Sequence, residues 1–162
     1  MKVIFLDIDG VLSGFSTTKE TTPEGYLFVE DKLVARLQKI IESTDAQVVL
    51  SSSWRLEAKE FTGKEADGEN LTLLKEKLAE FGISIIGMTC NRGAYRGWQI
   101  RRYLKDHPEI DKWIVLDDMP IYEFQEHINT KYVIQTFCNN GISDLEVEHA
   151  IELLNEGEKD AD

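Results

Sequence analysis

Two aspartates near the start of the chain are spaced so that their side chains can act together. Asp7 and Asp9 follow the apolar run Val3–Leu6 and precede Gly10. Side chains two apart on an extended segment point to the same side, and the glycine permits a sharp exit from the strand. One carboxylate of such a pair can attack phosphorus as a nucleophile. The other can protonate the leaving oxygen and then activate water.

Two more polar clusters follow apolar runs further along the chain. Gln47–Leu50 leads into three serines that begin with Ser51, and Trp113–Leu116 leads into Asp117 and Asp118. In an open parallel sheet the ligand site lies outside the carboxyl ends of the strands, so the clusters are expected to converge there. Four gathered carboxylates repel one another unless a cation neutralises them, and oxygen-rich sites of this kind suit Mg²⁺. A hydroxyl such as that of Ser51 would help to hold the phosphate oxygens.

The elements that must position these clusters alternate between short apolar runs and helical patterns. Strands buried on both faces and alternating with helices predict an α/β fold with a doubly wound, mostly parallel sheet. Helical spacing is found around Leu33–Ile41, Leu71–Phe81, Ile100–Leu104 and Ala150–Leu154. The predicted strands are Val3–Leu6, Gln47–Leu50, Ile83–Ile86, Trp113–Leu116 and Tyr132–Phe137.

Helix ends are marked by local signals. Asn70 is a candidate N-cap and Gly82 a stop for the second helix. Ser143 and Glu146 have the spacing of a capping box ahead of the last helix. Taken alone, the serines that begin with Ser51 are also typical of a helix N-cap.

The strings around these residues resemble a known superfamily. Phe5–Leu12 looks like the first motif of the haloacid dehalogenase (HAD) superfamily, Val48–Ser51 like its second, and Val115–Asp118 like its fourth. The longer strings Val48–Arg55 (VVLSSSWR) and Ile114–Asp118 (IVLDD) resemble the phosphatase modules of multidomain RNA-repair proteins. The resemblance extends from residue 1 to about residue 140, and it implies a HAD-like Rossmannoid phosphatase.

The resemblance also implies roles for individual residues. Asp7 would be the nucleophile and a Mg²⁺ ligand, and Asp9 the general acid/base with its main-chain oxygen on the metal. Ser51 would bind the transferring phosphoryl group. Asp117 and Asp118 would complete the metal shell, and the sequence leaves open which of them is a direct ligand.

The third motif departs from the family pattern, which normally supplies a lysine at a helix start. Here Arg96 offers the positive charge, with Arg92 as a rival. Arginine keeps the charge and can hold a phosphate through two hydrogen bonds. The expected substrate contacts, besides Arg92, are Ser52, Trp54 and Arg55 beside the second motif.

The domain organisation is predicted to be simple. Residues 1–155 are expected to form one domain, with a small flap at 13–30 and an acidic tail at 156–162. Neither the flap nor the short stretch between Arg55 and Leu71 is a full cap domain. An open site suggests, by analogy, a substrate too large to be enclosed, such as a polynucleotide end.

Composition limits the classes of partner. The chain has 162 residues and a formal net charge of −12, which disfavours general DNA coating or binding to anionic membranes. It lacks an apolar run of the roughly 20 residues that a membrane helix needs, and its two cysteines read as reduced thiols. We expect a cytoplasmic protein acting on a nucleotide, a polynucleotide end or another phosphomonoester.

A cysteine-dependent phosphatase is a different catalytic hypothesis. Residues 90–96 fit the pattern C-x-x-G-x-x-R, in which a loop of amides cradles phosphate beside the Cys90 thiol and Arg96. The preceding residue is Thr89, however, where that family usually has histidine. This hypothesis also leaves the four aspartates unexplained.

Three non-catalytic alternatives also fit parts of the sequence. A receiver-like phosphoacceptor would gather acidic residues at the same edge, but in a different order along the chain. A phosphate- or nucleic-acid-end-binding module would need neither a nucleophile nor an acid/base. A calcium loop starting at Asp7 would need glutamate at its twelfth position, where Thr18 stands.

Overall fold

The structure is a computed structural model that describes residues 1–157. Its five strands form a single all-parallel sheet in the order β3-β2-β1-β4-β5. The first strand is therefore central, with β2 and β4 as its neighbours. The strands are β1 (Lys2–Leu6), β2 (Gln47–Leu50), β3 (Ile85–Met88), β4 (Lys112–Asp117) and β5 (Val133–Gln135).

Helices cover both faces of this sheet, which confirms the predicted doubly wound α/β fold. Ile4 and Leu6 of β1 belong to the core formed with α1, α3 and α5, whereas Val3 and Phe5 belong to the core formed with α4. Burying one such aliphatic side chain contributes about 1.5–3 kcal/mol. The helices are α1 (Asp31–Thr44), α2 (Lys59–Thr62), α3 (Glu69–Glu80), α4 (Arg96–Asp106) and α5 (Asp144–Asn155), and short 3-10 turns span Ser53–Glu57, Ile121–Glu123 and Thr130–Tyr132.

Four strands differ from their predicted bounds. β1 begins one residue earlier than predicted, at Lys2, and β4 extends one residue further at each end. β3 begins at Ile85 instead of Ile83, because the Ile83 N–H donates to Leu78 O and closes the end of α3. β5 covers only Val133–Gln135 of the predicted Tyr132–Phe137. A 3-10 turn occupies its start, and Phe137 turns back to pair with Gly141 after its end.

The predicted N-cap of α3 is wrong. The helix starts at Glu69, and the buried Asn70 instead donates its amide hydrogens to Glu24 and Glu57. Glu57 caps the helix from another segment, since its Oε2 accepts from the Leu71 N–H at 3.1 Å. A carboxylate at a helix N-terminus is favoured by the helix dipole.

The other predicted helix signals are confirmed. Gly82 follows α3 with φ of +71°, a left-handed conformation that favours glycine. Ser143 and Glu146 form both bonds of the capping box at the start of α5. The serine run also supplies an N-cap, because Ser52 Oγ accepts from the Trp54 N–H at 3.3 Å.

Residues 13–30, predicted to be a small flap, form a short excursion between β1 and α1. It contains an antiparallel bridge between Thr21 and Leu27 and is joined to the loop after β5, where Phe15 N–H donates to Cys138 O. No cap domain is present in residues 1–157. Across this same span, none of the helices has both the length and the apolar character required to cross a membrane. Of the predicted acidic tail, residues 158–162 lie outside the described part.

Candidate active site

The three polar clusters meet because their strands are neighbours and the backbone ladder continues past the strand ends. The Asp7 N–H donates to Leu116 O at 2.9 Å, and the Ser51 N–H donates to Leu6 O at 2.9 Å. Just beyond the end of β5, the Thr136 N–H donates to Asp117 O, at the end of β4. These bonds fix the backbone of Asp7, Ser51 and Asp117. The three residues are the predicted nucleophile, the residue predicted to bind phosphate and a predicted metal ligand.

Asp7, Asp117 and Asp118 form a compact carboxylate cluster. One oxygen of each lies within 4.8 Å of the others. Burial, together with the charge and hydrogen bond of Asp7, raises the pKa of Asp118 to about 6. Burial and the charge of Asp7 likewise raise the pKa of Asp117, which is completely buried. The ionised carboxylates of this cluster therefore repel one another strongly.

Arg96 offsets part of that charge. Its Nη1 lies 2.8 Å from Asp117 Oδ2 and 3.3 Å from Asp7 Oδ1. Burial by itself lowers the pKa of Arg96, but the two carboxylates outweigh burial and the pKa is raised. Arg92, in contrast, is exposed. The geometry thus favours Arg96 for the role of the third motif.

The donor set fits a divalent cation. Three carboxylates face one guanidinium, so a net negative charge remains for a metal to neutralise, and carboxylate oxygens are ligands that Mg²⁺ prefers. Asp117 already accepts bonds on both oxygens, from Arg96 and from the Met119 N–H. Gly10 has φ of +77°, and a Cβ at this position would overlap the Asp118 carboxylate. The glycine therefore leaves the space in which Asp118 joins the cluster.

Asp9 stands beside this cluster and is held by an indole. Trp54 donates its Nε1–H to Asp9 Oδ2 at 2.9 Å. Burial raises the pKa of Asp9 above its ordinary value and outweighs the Trp54 hydrogen bond, which lowers it; the charge of Asp7 adds to the rise. A raised pKa favours the protonated form that a general acid needs. Trp54 was predicted to contact substrate, but the observed bond is to Asp9.

Ser51 and Thr89 present buried hydroxyls that lack partners. Within residues 1–157, neither Ser51 Oγ nor Thr89 Oγ1 has a hydrogen-bond partner, although both side chains are fully buried. Such orphaned groups are rare and call for an explanation such as a ligand. Thr89 was missed from the sequence, because placing the strand two residues early hid its position at the strand's carboxyl end. Ser52 is equally buried, but its hydroxyl already caps the turn that begins with Ser53.

Arg55 is buried and holds several segments of the protein together. The sequence instead predicted that Arg55 contacts substrate. It is 4% exposed, and all five of its N–H groups donate to acceptors within the protein. Burial lowers its pKa to about 10, so it stays protonated at neutral pH. Arg55 joins the carboxyl ends of β2 and β3 to α4. Its acceptors are the main-chain oxygens of Ser51, Ser52, Thr89 and Cys90 and the side-chain oxygen of Gln99.

Replacing Arg55 by lysine is expected to lower the free energy of unfolding by about 3 kcal/mol. A single ammonium cannot reach five acceptors fixed around a planar fork, and each buried acceptor left unpaired costs about 1–3 kcal/mol. Urea denaturation measures the change. The matched control is Arg102→Lys, because Arg102 lies on the surface of α4 in an exposed pair with Asp106. Equal stabilities for the two variants would contradict this role of Arg55.

The cysteine-dependent arrangement is not assembled in the structure. Cys90 Sγ donates to Arg92 O at 3.5 Å, and residues 91–95 are exposed. Arg96, the arginine of the C-x-x-G-x-x-R pattern, is bonded to Asp117 and close to Asp7. The guanidinium of Arg96 therefore lies with the aspartates and not beside the Cys90 thiol.

The fold and the site together define the class of protein to which the chain belongs. The parallel sheet has an aspartate pair after its central strand, a serine after the neighbouring strand and an acidic pair at the end of the fourth. This is the arrangement of a HAD-type, phosphatase-like domain. The family model described as the HAD domain in Swiss Army Knife RNA repair proteins matches residues 3–147. The chain belongs to this family. No curated protein sequence matches the chain.

Proposed function

We propose that the chain is a Mg²⁺-dependent phosphomonoester hydrolase that works through an aspartyl-phosphate on Asp7. The observation that carries this proposal is the cluster of Asp7, Asp117 and Asp118, bridged by Arg96 and set beside the unpartnered hydroxyl of Ser51. A pure binding site for phosphate has no use for three mutually repelling carboxylates, since they oppose an anion.

The reaction has two chemical steps. In the first, a carboxylate oxygen of Asp7 attacks phosphorus, the bond to the leaving oxygen breaks, and Asp9 gives its proton to that oxygen. In the second, Asp9 takes a proton from water as the water oxygen attacks phosphorus. The bond between phosphorus and Asp7 then breaks, which frees orthophosphate and restores both aspartates.

The remaining residues stabilise charge on the transferring group. Ser51 would donate its hydroxyl hydrogen to a phosphoryl oxygen, and Arg96 supplies a positive charge at the nucleophile. Mg²⁺ would be held by Asp7, Asp117 and Asp118 and by the main-chain oxygen of Asp9, and it would supply positive charge to offset the negative charge of the transferring group. Arg55 contributes by fixing the backbone of Ser51.

For the substrate we propose a phosphorylated nucleotide or polynucleotide end. The family description names RNA repair proteins, and no cap domain covers the site in residues 1–157. Exposed aromatic side chains occur on segments that follow the strands, where bases could stack. These side chains are Phe15, Tyr26, Tyr95, Tyr122 and Phe137.

Phosphate release from a panel of esters tests the proposed function. The panel contains p-nitrophenyl phosphate, mononucleotides and oligonucleotides with 3′- or 5′-phosphates, each with Mg²⁺ and with EDTA. The native chain is expected to release phosphate only with Mg²⁺, Asp7→Asn is expected to be inactive, and Cys90→Ser is expected to retain activity. Activity that survives EDTA and is lost in Cys90→Ser would contradict the proposal.

Without a divalent cation, the protein is expected to be less stable at about pH 8 than at about pH 5. The folded pKa of Asp118 is raised from 3.8 to about 6, and that of Asp117 is also raised. Since the folded state then binds more protons than the unfolded state, stability falls as pH rises through this window. Thermal unfolding in EDTA measures the fall.

Mg²⁺ is expected to restore the lost stability at the higher pH and to have a smaller effect at the lower pH, because it binds the ionised carboxylates. Asp118→Asn should flatten the pH dependence by removing one of the repelling charges. A metal-free protein whose unfolding temperature does not change between the two pH values would contradict this account of the cluster.

A further inference from the structure

Trp54 joins the predicted general acid to a rigid part of the fold. Its side chain is 6% exposed, and its indole Nε1–H donates to Asp9 Oδ2 at 2.9 Å. Its backbone N–H donates to Ser52 Oγ, and the next residue is the fully bonded Arg55. The surrounding fold therefore holds the indole ring in place, and the hydrogen bond from the indole fixes the orientation of the Asp9 carboxylate.

The chemistry of the indole decides which oxygen of Asp9 can carry a proton. An indole nitrogen is a donor only and has no acceptor capacity. The carbonyl oxygen of a protonated carboxyl group is a better acceptor than its hydroxyl oxygen, so the bond from the indole favours Oδ2 as the unprotonated oxygen. When Asp9 is in its acid form, this bond therefore favours the proton on Oδ1.

We propose that Trp54 is the positioning residue for Asp9, holding Oδ2 so that Oδ1 alone delivers and recovers the transferred proton. This inference rests on the proposed function. In the first step the Oδ1–H bond breaks and the proton passes to the leaving oxygen as its bond to phosphorus breaks. In the second step Oδ1 takes a proton from the attacking water. Trp54 itself touches neither phosphorus nor the proton.

The position of Asp9 beside a cleft supports this role. Asp9 and Trp54 line the same cleft together with Tyr26, Ser53 and Glu57. A leaving group protonated by Asp9 has room to lie in this cleft. Without the indole bond, the Asp9 carboxyl group can rotate and the proton can occupy either oxygen.

The test compares leaving groups that differ in their need for a proton. The value of kcat/KM reports only the steps up to departure of the leaving group. A p-nitrophenolate departs without protonation, whereas an alkyl oxygen requires it. We expect Trp54→Phe to lower kcat/KM for the best alkyl ester of the panel by on the order of 10–100-fold, and for p-nitrophenyl phosphate by less than about threefold.

Two further variants separate positioning from damage to the fold. Trp113→Phe is the matched control, since Trp113 packs against Phe5 and Tyr132 near the start of β4, and it should change neither value. In an Asp9→Asn background, adding Trp54→Phe should produce no further loss specific to alkyl esters, because the two residues act through one interaction.

A spectroscopic readout is independent of activity. Among the three indole N–H signals in a proton–nitrogen NMR spectrum, the signal missing in Trp54→Phe should be the one that shifts in Asp9→Asn. An equal loss of kcat/KM for both leaving groups, or an indole signal that ignores Asp9, would overturn the positioning role. Absence of Mg²⁺-dependent hydrolysis in the native chain would instead overturn the proposed function, and the role of Trp54 with it.

Discussion

Asp7→Asn is expected to reduce phosphate release by roughly 10⁴-fold or more, since removing a catalytic nucleophile has effects of this order. An amide oxygen is too weak a nucleophile to form the aspartyl-phosphate, although it fills the same volume as the carboxylate. The rate is measured on the best ester of the panel under saturating Mg²⁺. The unfolding temperature of the metal-free variant should not fall, because the change removes one charge from a cluster of three repelling carboxylates.

The control for this variant is Asp106→Asn. Asp106 is an exposed residue at the end of α4 that pairs with Arg102, so the same chemical change there should leave turnover intact. Substantial Mg²⁺-dependent activity in Asp7→Asn, with the control also active, would remove Asp7 from the role of nucleophile.

Arg96→Met is expected to lose both stability and activity. Asp117 is completely buried, and Arg96 is its only cationic partner in the described ion pairs of residues 1–157. Removing one partner of a buried pair typically costs about 3–5 kcal/mol, and we expect a loss of this size in urea denaturation of the metal-free protein at about pH 8. Turnover should fall by roughly 10²–10³-fold, the effect of removing one group that stabilises transition-state charge.

The pH dependence separates this loss from simple loss of packing. At low pH Asp117 is protonated in the folded state and no longer needs a cation, so the stability difference between Arg96→Met and the native chain should shrink. Arg101→Met is the matched control, because Arg101 is exposed on the same helix. A variant as stable as the control at the higher pH would contradict the ion-pair network.

The parts of the site that could be predicted from the sequence are those fixed by single strands. Asp7, Ser51 and Asp117 each follow an apolar run directly, and the edge at which parallel strands end is a general property of such sheets. The fold therefore brought these residues together as expected. Mg²⁺ and the covalent intermediate remain proposals, because they depend on the reaction and not on the sheet.

The parts that could not be predicted depend on contacts between distant segments. The five acceptors of Arg55 come from three different segments, and the bond from Trp54 to Asp9 crosses 45 residues. Neither has a local signal, since arginine and tryptophan beside a serine motif look the same whether they bind substrate or the protein. The cap of α3 also has no local signal, because Glu57 from another segment caps this helix in place of Asn70.

Trapping the covalent intermediate tests whether Asp7 is the nucleophile. Native chain is mixed with Mg²⁺ and its best substrate, quenched in acid within the first turnovers, digested, and mapped by mass spectrometry. We expect a phosphoryl group on the peptide that contains Asp7, removable by hydroxylamine as an acyl phosphate and absent from Asp7→Asn. A phosphoryl group found on the peptide that contains Cys90 would rule out Asp7 as the nucleophile, as would turnover at the native rate in Asp7→Asn.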